Sequence, residues 1–185
     1  KVVTSKHNFY YLCHMTTNEA ISKIRTSLAD IYPAGEVKAF VRIIFEEWMN
    51  YSTVDTIMRA DSVLPDCVVQ KISDAIARLQ NHEPIQHIVG VANFHGHRFK
   101  VNKHTLIPRP ETEELVAWAL EVAQHDFPHS PLHILDGGTG SGCIAVSLAL
   151  QLPQACVCAW DISAEALLVA QKNAQQLGAN VCFEQ

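Results

Sequence analysis

Apolar residues recur at helical spacing along the first half of the chain. Ile21, Ile24, Leu28 and Ile31 mark one face, behind a Thr16 and Glu19 spaced as a capping box, and Pro33 and Gly35 end that helix. A second helix carries Val37, Phe40, Val41, Ile44, Phe45 and Trp48 on a stripe too wide for a helix lying free on a surface, which makes it central to a bundle. Thr53 to Arg59 predicts a short helix capped at Ser52 or Thr53, and Pro65-Asp66 opens another with Val68, Val69, Ile72, Ile76 and Leu79 inward. Short helices joined by short turns predict a helical bundle, with these apolar residues as its core.

The pattern changes at His82-Glu83-Pro84. Ile85 to Val89, then Gly90, then Phe94 to Val101 predict two strands around a turn, a hairpin joining the bundle to the second half of the chain. In Leu106-Ile107-Pro108-Arg109-Pro110-Glu111-Thr112-Glu113-Glu114 two prolines stiffen the backbone ahead of a helix, and Glu111, Glu113 and Glu114 suit the positive end of its dipole. Leu115, Val116, Ala119, Leu120 and Ala123 are its expected buried face. Pro108-Arg109-Pro110 is readable as a rigid start to that helix or, with Arg109 and its neighbours, as the wall of a cleft; spacing does not choose. From Leu132 the order is strand, glycine turn, helix, strand, Asp161, a helix from about Ser163 to Leu177, Gly178 as its C′ residue, and a strand from Val181. This alternation predicts a parallel sheet with helices on both faces.

The predicted class is therefore α/β: an extension over 1–15, non-native or disordered, with Met15 as the initiator; a helical domain over 16–82 whose work is recognition; a β-hairpin linker over 83–105; and a Rossmann-like domain over 106–185. Three strands with an exposed edge make a truncated sheet, so the sequence is expected to be the front part of a longer protein.

Candidate chemistry centres on Ile134-Leu135-Asp136-Gly137-Gly138-Thr139-Gly140-Ser141-Gly142, between the two apolar runs. Gly138, Gly140 and Gly142 at alternate positions allow positive φ and a close approach of backbone to ligand, with a helix N-terminus behind them. A second apolar strand, Ala155 to Trp160, ends on Asp161, about 20 residues past the glycines, where an acid is placed to bond both hydroxyls of a ribose. A dinucleotide site wants G-x-G-x-x-G and room for a pyrophosphate. Here the pattern is Asp136-x-Gly138-x-Gly140-x-Gly142, and a carboxylate facing the site repels a pyrophosphate but suits a cofactor with a cationic amino-acid end. That favours S-adenosylmethionine (SAM) over NAD.

Composition narrows the partners. A hydrophobic content of 48% supports a packed core, and a net charge of -5 argues against a broad basic face for nucleic acid. Cys13, Cys67, Cys143, Cys156, Cys158 and Cys182 form no C-x-x-C pair and are read as small buried hydrophobes of a reducing compartment. His95-Gly96-His97 is the one close histidine pair, read as polar hairpin residues, and no metal is expected. No apolar run is long enough to span a bilayer and no signal-peptide core is present, which points to a cytoplasmic protein.

Several stretches together resemble the N5-glutamine methyltransferases that modify peptide-chain release factors, the HemK/PrmC family. They are Glu83-Pro84-Ile85-Gln86-His87-Ile88-Val89-Gly90, Phe94-x-Gly96-x-x-Phe99-x-Val101, Leu106-Ile107-Pro108-Arg109-Pro110-Glu111-Thr112-Glu113, and the turn from Asp136 to Gly142. The resemblance runs from about Thr16 to the C-terminus. It implies a helical domain that helps hold the release factor and a SAM-dependent methyltransferase domain acting, as a monomer, on the glutamine amide of a Gly-Gly-Gln motif. It also implies that Gly138, Thr139, Gly140, Ser141 and Gly142 line the SAM site, that Asp161 binds the ribose and Asp136 lies near the methionine end, and that Arg109, Pro110, Glu111 and Thr112 lie near the cleft. Gly137 departs from the family's bulky apolar residue, at a cost of up to about 1 kcal/mol to the strand end. The family's Asn-Pro-Pro-Tyr motif, which grips the substrate amide, is not among the 185 residues, its expected place lying past Gln185. No catalytic residue is named, and the chain alone is expected to be inactive.

Two other classes remain. One is a SAM-dependent enzyme acting on the amino group of a nucleic-acid base, disfavoured by the acidic charge. The other is an inactive module that docks a translation factor. An NAD-linked oxidoreductase is disfavoured by the glycine spacing.

Overall fold

Thr16 caps the first helix as its spacing predicts: the Glu19 N–H donates to its hydroxyl at 3.3 Å, and the Thr16 N–H donates to the Glu19 carboxylate at 2.8 Å. The computed structural model describes residues 15–128 and 130–185 and divides into two units between Val89 and Gly90. Apart from Met15, the extension expected over 1–15 lies outside the described residues.

In the first unit α1 (Thr17–Leu28) packs on α2 (Ala34–Met49) and α4 (Asp66–Gln80), with α3 (Thr53–Met58) between the last two in sequence. Pro33 starts α2, and Asn50, at φ 53, ends it in the left-handed region. Ser52 and Asp55 form a second reciprocal cap at α3. Ile24, Leu28, Ile44, Phe45, Ile72 and Leu79 are enclosed, each side chain contributing about 1.5–3 kcal/mol by leaving water.

Ile85–Val89 is a helix, α5, and the strand predicted there is not formed. The Pro84 carbonyl accepts from the N–H groups of His87 and Ile88, and Ile85 and Ile88, one helical turn apart, both bury into the bundle core. Three β-branched residues suggested a strand; burial at a spacing of three settled on a helix. The hairpin begins later, with β1 (Val91–Phe94) antiparallel to β2 (His97–Lys100). Its turn is His95-Gly96, at φ 47 and φ 77, the doubly left-handed pair that a two-residue hairpin loop requires.

In the second unit the hairpin buries Phe94 and Phe99 in a core with Val116, Val146 and Ala174. After the hairpin come α6 (Pro110–Asp126), β3 (His133–Gly137), α7 (Cys143–Gln151), β4 (Cys156–Trp160), α8 (Ala164–Leu177) and β5 (Val181–Glu184). Helix α6 packs chiefly against α7, so its covered stripe is narrow: Val116 and Ala123 are buried, whereas Leu115, expected inward, is 48% exposed.

The sheet is parallel in the order β3-β4-β5, with Leu135, Cys158 and Cys182 aligned across it. Ile134, Val157, Ala159, Val181 and Phe183 form the face that packs with Ala145 of α7. The opposite face is uncovered among the described residues, which corrects the expectation of helices on both faces: Leu135 is 56% and Trp160 47% exposed. The cysteines are corrected with it. Cys156 and Cys182 are exposed, Cys158 is half-buried, Cys67 is exposed on α4, and only Cys143 of those described is buried. The run Cys156 to Trp160 is apolar at every position and so reads as buried on both sides, but strand alternation turns its cysteines away from α7.

Candidate functional site

The carboxyl ends of β3 and β4 lie side by side, and the turn after β3 folds over the end of β4. The Trp160 carbonyl accepts from the N–H groups of both Gly138 and Thr139 at 2.8 Å. Next in sequence, the Gly140 N–H donates to Asp161 Oδ2 at 2.8 Å, and Asp161 Oδ1 accepts from the Ser163 N–H at 2.9 Å. The acid expected to act with the glycines is therefore held within them.

Asp136 serves the other end of the turn. Its Oδ2 accepts from the Thr139 hydroxyl at 2.6 Å and from the Ala145 N–H in the first turn of α7 at 3.3 Å. Its Oδ1 has no hydrogen-bond partner among the described residues.

The three glycines do different work. Gly138 and Gly140 take φ of 78 and 56, and a Cβ on either would meet no atom within 4 Å, so their backbone borders open space. Gly142 takes φ 79, but a Cβ there would stand 3.0 Å from the Ala170 Cβ, so this glycine lets α7 and α8 approach. Thr139 and Ser141 are buried, and the Ser141 hydroxyl has no hydrogen-bond partner among the described residues. Cys143, at the first position of α7, looks placed for a reactive thiolate, but burial raises its thiol above the ordinary value.

Arg109 precedes Pro110 at the start of α6; Arg109 and Glu111 are exposed and Thr112 is half-buried. Among the described residues no hydrogen bond or ion pair joins Arg109, Glu111 or Thr112 to the glycine turn or to Asp161. The structure thus brings Asp136, Gly138, Thr139, Gly140 and Asp161 together and leaves the α6 start unconnected to them by polar contacts.

One residue was missed. Asn173 of α8 is fully buried; its Oδ1 accepts from the Lys100 N–H at 2.7 Å, and its Nδ2 donates to the carbonyls of Lys100 at 2.9 Å and Ser141 at 2.8 Å. It ties the hairpin to the glycine turn. The signal was present: Asn173 falls on the apolar stripe Ala166, Val169, Ala170, Ala174, where a lone amide needs buried partners. Among the described residues no group of three or more His, Cys, Asp or Glu side chains is placed to hold a metal ion.

Two family models match the chain, the PrmC N-terminal domain over residues 19–90 and a methyltransferase domain over residues 128–185. The first ends where the structure divides. The chain is 46% identical over 166 residues to a release factor glutamine methyltransferase of Bacteroides thetaiotaomicron, covering 90% of this chain and 58% of the relative. It is 44% identical over 157 residues to a release factor glutamine methyltransferase of Flavobacterium psychrophilum, covering 85% of this chain and 55% of the relative. The chain therefore spans a little over half the length of these curated relatives. Among solved structures, a Pyrococcus abyssi tRNA (uracil-54, C5)-methyltransferase in complex with S-adenosyl-L-homocysteine matches 51% of this chain and 22% of its own, at 18% identity and a TM-score of 0.41.

Proposed function

The chain belongs to the release factor glutamine methyltransferases, and on that premise we propose that the full-length protein transfers a methyl group from SAM to the side-chain amide nitrogen of the glutamine in a release factor's Gly-Gly-Gln motif. The observation that carries the cofactor half is the Asp161 carboxylate pinned beside the open backbone of Gly138 and Gly140. The substrate half rests on the relatives' names.

The residues fit SAM. A carboxylate offers about four acceptor positions, and Asp161 uses one on each oxygen, leaving two for the hydroxyls of a ribose. Asp136 keeps Oδ1 for the ammonium group of an amino-acid end. Cβ-free backbone at Gly138 and Gly140 leaves room for the nucleoside beside them. When bound, SAM supplies an electrophilic methyl on a sulfonium.

A neutral amide is a poor nucleophile, and no strong base is needed if the site holds it in line with the methyl carbon in a water-poor pocket. The glycine turn contributes by presenting one fixed geometry. Both Trp160 O and Asp161 anchor it through bonds within the protein itself, which limits the ordering that binding requires. Arg109 to Thr112 are proposed to border the cleft.

Mass spectrometry of a Gly-Gly-Gln peptide incubated with SAM and the full-length protein is the test. One added methyl on the glutamine, lost in Asp161→Ala together with SAM affinity, is the expected result. SAM binding with no methyl on that glutamine, or a methyl on a nucleic-acid base instead, would overturn the substrate.

A further inference from the structure

We infer that Cys158 and Cys182 are a thiol pair that a peroxide joins in a disulfide, and that this bridge weakens the cofactor site just beyond it. The bridge follows from strand register, and its effect rests on the proposed SAM site.

Cys156 and Cys158 of β4 and Cys182 of β5 turn to the uncovered face of the sheet, because Val157, Ala159, Val181 and Phe183, which alternate with them, pack toward α7. Cys158 pairs directly with Cys182 across the two parallel strands. Neighbouring strands run about 4.8 Å apart, inside the range of about 4.4–6.8 Å between Cα atoms that a disulfide spans. Cys156 and Cys158, two positions apart on one strand, are about 6.6 Å apart, at the edge of that range. Cys156 lies on the diagonal from Cys182 at about 8 Å, outside it. The register thus selects one pair of the three. Among the described residues no group of three or more His, Cys, Asp or Glu side chains is placed to hold a metal ion, which leaves oxidation as the chemistry open to these thiols.

A hollow of about 250 Å³ on this face presents Cys156 and Cys158 beside His133, Leu135, Trp160 and Glu184, and Cys182 is itself exposed, so a molecule as small as hydrogen peroxide reaches both members of the pair. Burial and the adjoining Cys182 and Cys156 thiols push the Cys158 thiol up, so the Cys182 thiolate attacks first. Its sulfur takes one peroxide oxygen, the O–O bond breaks, and the other oxygen leaves as hydroxide, giving a sulfenic acid. The Cys158 thiolate then attacks that sulfur, the S–O bond breaks, and a second hydroxide leaves. The hydroxides take up the two thiol protons, so two thiols and one peroxide give one disulfide and two waters, with two electrons passing from sulfur to oxygen.

Side chains standing side by side on neighbouring parallel strands keep their Cβ atoms nearly as far apart as the strands, about 1 Å beyond what a disulfide prefers. Closing the bridge therefore draws β4 and β5 together at that point. Trp160 and Asp161 follow within three residues. The Trp160 carbonyl accepts from Gly138 and Thr139, and the Asp161 N–H donates to the Glu184 carbonyl of β5 at 3.3 Å, so a shift between the strands reaches the glycine turn.

The test compares the full-length protein kept in dithiothreitol with the same protein after hydrogen peroxide, by peptide mapping with free thiols blocked and by SAM titration. Peroxide is expected to give a Cys158–Cys182 cross-linked peptide lighter by two hydrogens and to weaken SAM binding about tenfold, and dithiothreitol should restore both the free thiols and the affinity. Cys182→Ser, at an exposed position, and Cys158→Ala should each bind SAM as the reduced wild type does and keep that affinity under peroxide. Cys156→Ser should form the bridge as the wild type does.

No bridge in the wild type, or one that joins Cys156, Cys67 or a second molecule instead, would overturn the pair. A Cys158–Cys182 bridge with unchanged SAM affinity, or an affinity that peroxide lowers equally in Cys182→Ser, would overturn its effect on the site. Reduced protein without SAM affinity would remove the proposed cofactor, and the mapping would still decide the bridge.

Discussion

In the helical unit the side-chain caps of α1 and α3 come from three residues away, Thr16 with Glu19 and Ser52 with Asp55, and the backbone N–H groups of Thr17 and Asn18 reach farther, to the carbonyls of Ser62 and Ala60. In the sheet unit α8 has a cap of the same kind, Ser163 accepting from the Ala166 N–H, but the glycine turn is held from far along the chain: Asn173 reaches Ser141 across 32 residues and Lys100 across 73, and Asp161 reaches Gly140 across 21. Local caps fix where a helix starts and leave its apolar stripe free to form the core. Distant answers make the glycine turn a product of the whole sheet unit, since its bonds draw on the end of β4 through Asp161 and on α8, itself tied to the hairpin, through Asn173. That costs more ordering of the chain and gives in return a turn held from several elements at once.

The contrast can be broken most forcefully from the helical side, where stability lies in packing. Phe45→Ala removes a fully enclosed ring from the bundle core and should cost about 3–5 kcal/mol in urea denaturation. A loss below about 1 kcal/mol would mean that the core refills easily, and packing would not be what distinguishes this unit.

On the other side, Asn173→Ala deletes few packing atoms but strands the Lys100 N–H and the carbonyls of Lys100 and Ser141. The expected cost is about 2–3 kcal/mol. Hydrogen exchange should quicken at Lys100, and SAM affinity should fall with it. A full loss of stability with unchanged SAM affinity would show that the turn keeps its shape without the amide, and the distant tie would then be structural only.

The glycines sharpen the comparison within the turn itself. Gly142→Ala meets both a left-handed φ and the Ala170 contact, and should cost about 2 kcal/mol of stability. Gly140→Ala meets only the φ penalty of about 1 kcal/mol, because its Cβ points into open space. Its larger effect should be on the ligand that occupies that space, with SAM affinity falling about tenfold where the added methyl intrudes. Equal effects of the two substitutions on binding would argue that neither glycine borders the ligand.

Legibility in the sequence divides along the same line. The bundle was readable because its determinants are local: the Thr16 and Ser52 caps and the stripe from Val37 to Phe45 state their structure within a few residues. The glycine turn and Asp161 were readable because glycine takes left-handed φ values at the least cost, so three at alternate positions mark a turn, and because an acid at the end of the next strand has a narrow meaning. The failures depended on neighbours that the sequence does not specify. Cys156, Cys158 and Cys182 look as apolar as Val157 and Ala159, and only the presence of α7 on one face tells them apart. Leu115 looks as inward as Val116 until α6 is known to rest mainly on α7. Asn173 bonded to partners 32 and 73 residues away, which no periodicity reports.

Ile85 to Val89 was misread for a related reason, and the contact that fixes it offers the smallest test. The Arg78 guanidinium near the end of α4 donates through Nε to Glu83 Oε2 at 2.7 Å and through Nη2 to Glu83 Oε1, holding the corner from which α5 starts. These hydrogen bonds from Arg78 hold the Glu83 carboxyl below its ordinary value. A carboxyl with a lower value in the folded state than in the unfolded state contributes stability above the unfolded value, near pH 4.3 for glutamate, and loses it as pH falls through the folded value. Both side chains are about one-third exposed, so water screens the pair and its contribution should be about 0.5–1 kcal/mol. Glu83→Gln should therefore cost that amount at pH 7 and progressively less below pH 4, while the Phe45→Ala penalty stays nearly constant over the same range. If the Glu83→Gln penalty were independent of pH, the corner would be held by the backbone bond from the Glu83 N–H to the Arg78 carbonyl at 3.1 Å rather than by charge. The turn into α5 would then be as local as the caps at Thr16 and Ser52, and only its β-branched composition would have hidden it.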